Sequence, residues 1–260
     1  MRFPDFVVAI RSPFASGLLL LSAVTLWAGP GSAANAIVKD GNTIQLADAA
    51  YRLAGIDAPE LDQTCIDDQA DPWGCGVDAR DQLAKLVGGH VVRCEDRGPD
   101  PAYKKRHLGI CTVAGETTSL NQALVRLGFA INPGAPGSGF ADDEAKARSD
   151  RKGIWKGCFV APQDFRLGKK DGALLGGACP ADKDKEIRNV LFPEFMPMPP
   201  RCTIKAKFAV RARVTGNVGI YHLQGCRSYP ATTRPDRWFC TEDDARAAGF
   251  RRAYNCRAGK

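Results

Sequence analysis

Histidine is scarce, with three in 260 residues. No nucleophile pairs with His90 or His107 along the chain, so both read as structural rather than as parts of a serine- or cysteine-histidine mechanism. Long apolar runs are scarcer still. Outside residues 17–28 no stretch approaches the roughly 20 residues of a membrane-spanning helix, which excludes a multi-pass membrane protein. No repeat of fixed period is present, which excludes a collagen-like chain. A hydrophobic content of 44% excludes disorder. What remains is one large domain or two smaller ones, with enough apolar content for a real core.

Positive charge is missing from most of the length. The formal net charge is +7, yet residues 35–200 hold 21 Lys+Arg against 24 Asp+Glu. Residues 201–260 hold 13 against 4, so the basic character belongs to the C-terminal end. Any inference from charge to nucleic acid must start there.

The first residues read as an export signal over 1–34. Arg2 and Arg11 give a positive start, Gly17–Ala28 is a short apolar run, and Ser32-Ala33-Ala34 or Ala34-Asn35-Ala36 offers small residues for cleavage. The mature protein is then expected in the periplasm or outside the cell. Export makes the ten cysteines legible, because an even number in an oxidising compartment favours five disulfides. Strand-like stretches ending at Cys94 and Cys111 suggest one pair. Cys65 and Cys75 bracket a short loop, and Cys158 with Cys179 would clip the chain as it leaves the first domain.

Strand signals at 36–39, 43–46 and 51–55 flank the turn Asp40-Gly41-Asn42. A helix is predicted over 75–87, with Ala79, Leu83, Leu86 and Val87 on one face and Gly88-Gly89 as a stop. Two strands follow around a polar loop, then a helix capped by Ser119 and a shorter one over 141–150. This order suits a small β-barrel with helices packed outside it, spanning 36–166. Residues 167–200 end in Pro193, Pro197, Pro199 and Pro200 and read as a linker, with some helix around 184–191. A small Cys-rich α+β module is expected over 201–260, with strand-like 203–214 and a helix over 242–248. Trp73 reads as a packing anchor for the Cys65–Cys75 insertion.

One constellation carries chemistry. Arg52 lies on a hydrophobic strand, Asp57 and Glu60 follow around a proline turn, and Lys104-Lys105-Arg106 precede another strand. Guanidinium groups clamp phosphate oxygens in pairs, one carboxylate can hold a hard cation and another can take a proton from water. Together they form a kit for metal-assisted phosphodiester hydrolysis.

These residues carry a family resemblance. Asp40-Gly41-x-Thr43, Arg52-Leu53-x-Gly55-Ile56-Asp57-Ala58-Pro59-Glu60, Tyr103…Arg106, Leu120-Asn121-x-x-Leu124-Val125 and Gly153-Ile154-Trp155 are similar to the thermonuclease (staphylococcal nuclease-like) family, in order and spacing, over about half the chain. The resemblance implies an OB-type five-stranded barrel with helices that cleaves DNA and RNA with Ca2+. It implies that Arg52 and Arg106 grip the scissile phosphate and that Glu60 orients or deprotonates the attacking water. Asp57 would bind Ca2+ with the Ala58 carbonyl, and Tyr103, with Lys104 and Lys105 beside it, would face the substrate.

Two departures from the family pattern matter. The usual Asp-Gly-Asp-Thr is Asp40-Gly41-Asn42-Thr43 here, so a carboxylate has become an amide. Asn42 can still offer a carbonyl oxygen, but one ligand charge is lost, and the expected Ca2+ site is weakened. The Tyr-to-Arg spacing is also one residue longer than usual. Arg106 is placed by its distance to Cys111, and Lys105, which cannot reproduce a bidentate grip, is the alternative.

The C-terminal string Gly216-Asn217…Ile220-Tyr221-His222…Gly225-Cys226, ending Ala248-Gly249-Phe250-Arg251…Cys256, resembles a small module found after exported nuclease-like domains, distantly reminiscent of an Ada-type metal-binding fold. The two-part layout resembles thermonuclease-like proteins of rhizobia, some associated with succinoglycan gene clusters. His222, Cys226, Cys240 and Cys256 have spacing suited to Zn2+. The alternative, favoured by export and the even count, is two disulfides among the four C-terminal cysteines. Arg211, Arg213, Arg227, Arg234, Arg237, Arg251 and Arg252, interleaved with aromatics, are candidates for holding a polyanion, either nucleic acid or an acidic exopolysaccharide. A membrane surface, or a solvated basic face without ligand, would satisfy the same charge.

Overall fold

Short strands with apolar residues at alternate positions curl into a ring in the first half of the molecule. A computed structural model of the chain describes residues 34–47, 49–134 and 139–256. The expected export signal lies outside them, apart from its last residue. β1 (Ala34–Asp40), β2 (Thr43–Leu46) and β3 (Ala49–Leu53) form an antiparallel meander. A hairpin of β4 (Cys65–Ile66) and β5 (Pro72–Trp73) leads into α1 (Cys75–Val87). β6 (Val91–Pro99) and β7 (Arg106–Val113) then pair antiparallel, and β3 pairs parallel with β7. A final β1–β6 pairing closes the barrel in the order β1-β2-β3-β7-β6. With α2 (Leu120–Arg126) and α3 (Ala141–Ser149) outside, this is the five-stranded OB-like architecture expected from the sequence.

The barrel core explains the pattern. Ile44, Leu46, Leu53, Val92 and Val113 point inward from the strands and meet Leu83 and Val87 of α1 and Leu120 and Leu124 of α2. Ala79, Leu83 and Val87 recur every four residues, which puts them on one helical face. α1 stops where Gly88 takes a left-handed conformation, and Ser119 Oγ accepts the Gln122 N–H to cap α2. Gly41 sets a close approach, because a Cβ there would lie 2.8 Å from the Cβ atoms of Ala58 and Ala79. The absence of a side chain lets the first turn, the loop carrying Asp57 and α1 meet.

β8 (Phe159–Val160) pairs with β9 (Leu174–Leu175), with α4 (Pro162–Arg166) between them. Residues 167–200 carry α5 (Asp184–Leu191), whose Ile187 and Leu191 are buried with Ile66, Val160, Phe165 and Met196. The C-terminal region holds β10 (Ile204–Phe208), α6 (Val210–Arg213), β11 (Gly219–His222), β12 (Arg237–Phe239), α7 (Glu242–Ala247) and β13 (Phe250–Arg252). Its sheet runs β12-β10-β11-β13. The strand expected over 203–214 ends at Phe208. A helical turn follows because it buries Ala212 against Ile220, Cys226 and Ala253 while its charged neighbours face outward.

The cysteines form five disulfides. Cys65–Cys75, Cys94–Cys111 and Cys158–Cys179 pair as expected, and Cys202–Cys240 and Cys226–Cys256 complete the set. Five disulfides are consistent with an oxidising compartment. Among the described residues, no helix is long and apolar enough to cross a membrane.

Candidate active site

The loop after β3 is tied down on both sides. The Asp57 backbone exchanges two hydrogen bonds with Ile131, each 2.9 Å. Gln63 accepts from the Glu60 N–H at 3.1 Å and donates to the Val160 carbonyl at 2.9 Å. Asn121, fully buried, accepts the Cys111 N–H and donates to the carbonyls of Ala54 and Gly109. It thereby staples α2 to the two strands that carry Arg52 and Arg106.

These supports bring Asn42, Arg52, Ala58, Glu60 and Arg106 to one cavity, closed from the C-terminal side by Arg237, Trp238, Phe239 and Ala248. Asp57 sits beneath it, 4% exposed. Arg106 is buried and held by Asp100, with Nε and Nη2 each 2.8 Å from Oδ2, and Nη1 lies 3.3 Å from Thr43 Oγ1. Lys104 and Lys105 are exposed. Tyr103 and Lys105 line a neighbouring groove rather than this cavity, and the Tyr103 hydroxyl donates to Asp243 at 2.6 Å. His107 contacts Asp96 at 2.7 Å, away from the cavity.

Two more arginines reach the site, Arg166, which gave no sequence signal, and Arg237, which the sequence placed only among the basic candidates for a polyanion. Arg166, at the end of α4, donates from Nη2 to Asp57 Oδ1 at 2.6 Å and from Nε to Glu60 Oε1 at 2.8 Å. Arg237 donates from Nη2 to Glu60 Oε2 at 2.9 Å, and from Nε and Nη2 to Asp62 at 2.8–3.0 Å. Arg237 was expected on a basic surface. It is instead 1% exposed, because Asp62 and Glu60 neutralise it and Phe165 and Phe239 cover its guanidinium. Arg211, Arg213, Arg227 and Arg234 are exposed, whereas Arg251 and Arg252 are half-buried.

The electrostatics follow from this crowding. Burial pushes the Asp57 carboxyl up from its ordinary range, against the pull of Arg166 and Arg52. Burial works the same way on Glu60, but Arg166 and Arg237 outweigh it and hold that carboxyl down at about 2. A base so weak orients water better than it removes a proton from it.

Ca2+, implied by the resemblance at Asp57, Asn42 and the Ala58 carbonyl, does not fit the residues present. Asp57 Oδ1 already accepts from Arg52 at 2.7 Å and from Arg166 at 2.6 Å. The Asn42 amide nitrogen lies 3.5 Å from Asp57 Oδ1 and its oxygen 3.5 Å from Thr43 Oγ1, and turning the amide over would instead set its nitrogen 3.1 Å from Asp40 Oδ1 and its oxygen 3.3 Å from the Ala58 N–H. A divalent ion about 4 Å from a guanidinium meets repulsion of about 4 kcal/mol per pair of unit charges near a protein surface. Among the described residues no group of three or more His, Cys, Asp or Glu could hold a metal.

The zinc alternative at His222, Cys226, Cys240 and Cys256 is corrected. All three cysteines are in disulfides and cannot supply thiolates. His222 is buried and contacts Ser228 Oγ at 2.7 Å, and burial, then the Arg211 charge, pushes its imidazole down.

Comparison with known proteins agrees with the barrel. The chain is 32% identical over 123 residues to the succinoglycan biosynthesis protein ExoI of Rhizobium meliloti (strain 1021), a match covering 46% of this chain and 63% of that protein. Residues 50–157 match the family described as staphylococcal nuclease homologue. That segment contains Arg52, Asp57, Glu60 and Arg106 but neither Arg166 nor Arg237, so the carboxylates inside the matched segment meet guanidinium partners from outside it.

Proposed function

We propose that this protein is an exported phosphodiesterase of the nuclease type, hydrolysing the backbone of DNA or RNA. The observation that carries this reading is the convergence of Arg52, Arg106 and Glu60 on one cavity of a nuclease-type barrel. Arg52 and Arg106 would clamp the scissile phosphate and stabilise the charge that builds on it. Glu60 would orient the attacking water. The exposed arginines Arg211, Arg213, Arg227 and Arg234 would raise the local concentration of a polyanion.

One observation favours a second reading, a non-catalytic envelope protein that holds nucleic acid or an acidic exopolysaccharide. Glu60 is tied to two arginines, and the cavity of about 50 Å³ is on the scale of a few waters. The relative's name, which refers to succinoglycan biosynthesis, keeps a polysaccharide in scope.

Incubating the purified protein with DNA and with RNA, in Ca2+ or in EDTA, separates the two. Cleavage that falls at least about 100-fold in Glu60→Gln and Arg52→Ala supports the hydrolase. Salt-sensitive binding with no cleavage under any condition supports the binding protein.

A further inference from the structure

Asp57 and Glu60, two acidic groups at the head of the barrel, are joined by one cation that the chain itself provides. Arg166 spans them, 2.6 Å from Asp57 and 2.8 Å from Glu60. It is firmly placed. Pro162 starts α4, Phe165 is buried, and β8 just before it is tied to the Glu60 loop through Gln63. Its side chain is only 16% exposed, so the guanidinium belongs to the site rather than to the surface.

We propose that the Arg166 guanidinium takes the place of a divalent cation in this site, so that phosphate is held by Arg166 and Arg52 without metal. This rests on the phosphodiesterase reading above and deepens it. Two features of the chain point the same way. At position 42 a negative charge that would favour a metal is replaced by a neutral amide. At position 166 the chain holds a positive charge, paired with the carboxylate that a metal would need. The two features compensate each other, since a site with one ligand charge fewer and a fixed cation beside it balances an incoming phosphoryl anion with protein groups alone.

The donors for that anion are present. Arg166 uses Nε and Nη2 on the carboxylates, and Arg52 uses Nη2. Arg166 Nη1 and Arg52 Nε and Nη1 make no hydrogen bond among the described residues, and both side chains line the cavity. A guanidinium with its other nitrogens anchored loses little freedom when it binds, which suits it to phosphate oxygens. Unlike Ca2+, it cannot be removed by a chelator.

The test is calorimetry on the full, disulfide-bonded protein, with CaCl2 and inorganic phosphate as separate probes. Phosphate is expected to bind with the same affinity, within about twofold, in EDTA and in millimolar Ca2+. Arg166→Gln should weaken phosphate binding in EDTA about tenfold or more, and Arg166→Lys, which keeps the charge, should recover part of it. The double variant Asn42→Asp/Arg166→Gln should gain a Ca2+ site. The proposal falls if phosphate does not bind, if it needs Ca2+, if its affinity is unchanged in Arg166→Gln, or if the wild-type protein binds Ca2+ in a way that Asp57→Asn abolishes. Should Arg166→Gln fail to fold by near-ultraviolet circular dichroism, the wild-type comparison with and without Ca2+ and the Lys variant still decide. Cleavage is read separately. Hydrolysis strictly dependent on Ca2+ overturns this proposal and keeps the hydrolase. No hydrolysis in any metal overturns the hydrolase and leaves the binding arms to decide here.

Discussion

Glu60 shows how far neighbouring charge reshapes a single residue. Its motif position suggests a base, but Arg166 and Arg237 hold its carboxyl down at about 2 against an ordinary 4.5. A carboxyl depressed on folding adds stability that is fully present above its unfolded value and is lost as pH falls through its folded value. Stability should therefore decline between pH 4.5 and 2, by about 3 kcal/mol from this group. Glu60→Gln should flatten that limb in chemical denaturation measured across the acid range. Asp62 is a second case. It accepts from Arg237 on both oxygens and also from the Trp238 N–H, with its side chain fully buried. Asp62→Ala leaves a buried guanidinium with Glu60 as its remaining carboxylate partner and should cost about 3–5 kcal/mol in urea unfolding. Sequence flagged the arginine partners of neither carboxylate, because nothing in spacing predicts that residues as far apart as Asp62 and Arg237, 175 positions, will meet.

At the scale of elements, local rules held where local physics decides. The α1 pattern, the Gly88 stop and the Ser119 cap were all legible, since each depends on residues within one or two turns. Leu83 anchors α1 against the barrel with no exposed surface, so Leu83→Ala should cost about 2–5 kcal/mol in the midpoint of denaturant unfolding. The strand expected over 203–214 was too long because α6 is set by burial of Ala212, a contact with distant residues. Asn121 lay in a recognised motif, yet its part in stapling β7 to the turn after β3 shows only in three dimensions.

For the whole molecule, the decisive feature is the meeting of β12 with the loop after β3. Arg237 and Trp238 reach Asp62 and Glu60 from the far end of the chain, and Tyr103 meets Asp243. The Cys202–Cys240 disulfide holds the strand that carries Arg237, closing a loop with a sequence separation of 38. Replacing both cysteines by serine should lower stability by about 4 kcal/mol from loop entropy. It should also make Arg237 and the cavity easier to open, read as faster amide exchange at Trp238 and Phe239.

By itself the sequence determined the barrel, the order of its helices, three of the five disulfides and the motif residues of the site, because each is written in short-range spacing or in a contiguous string. Only the tertiary structure decided what surrounds those residues. Two arginines from outside the nuclease-type segment take up the carboxylates that the motif was expected to offer to a metal and to water. The reason is physical: in a partly buried cluster each charge is settled by whichever partner the fold brings within about 3 Å, and linear order does not encode that distance.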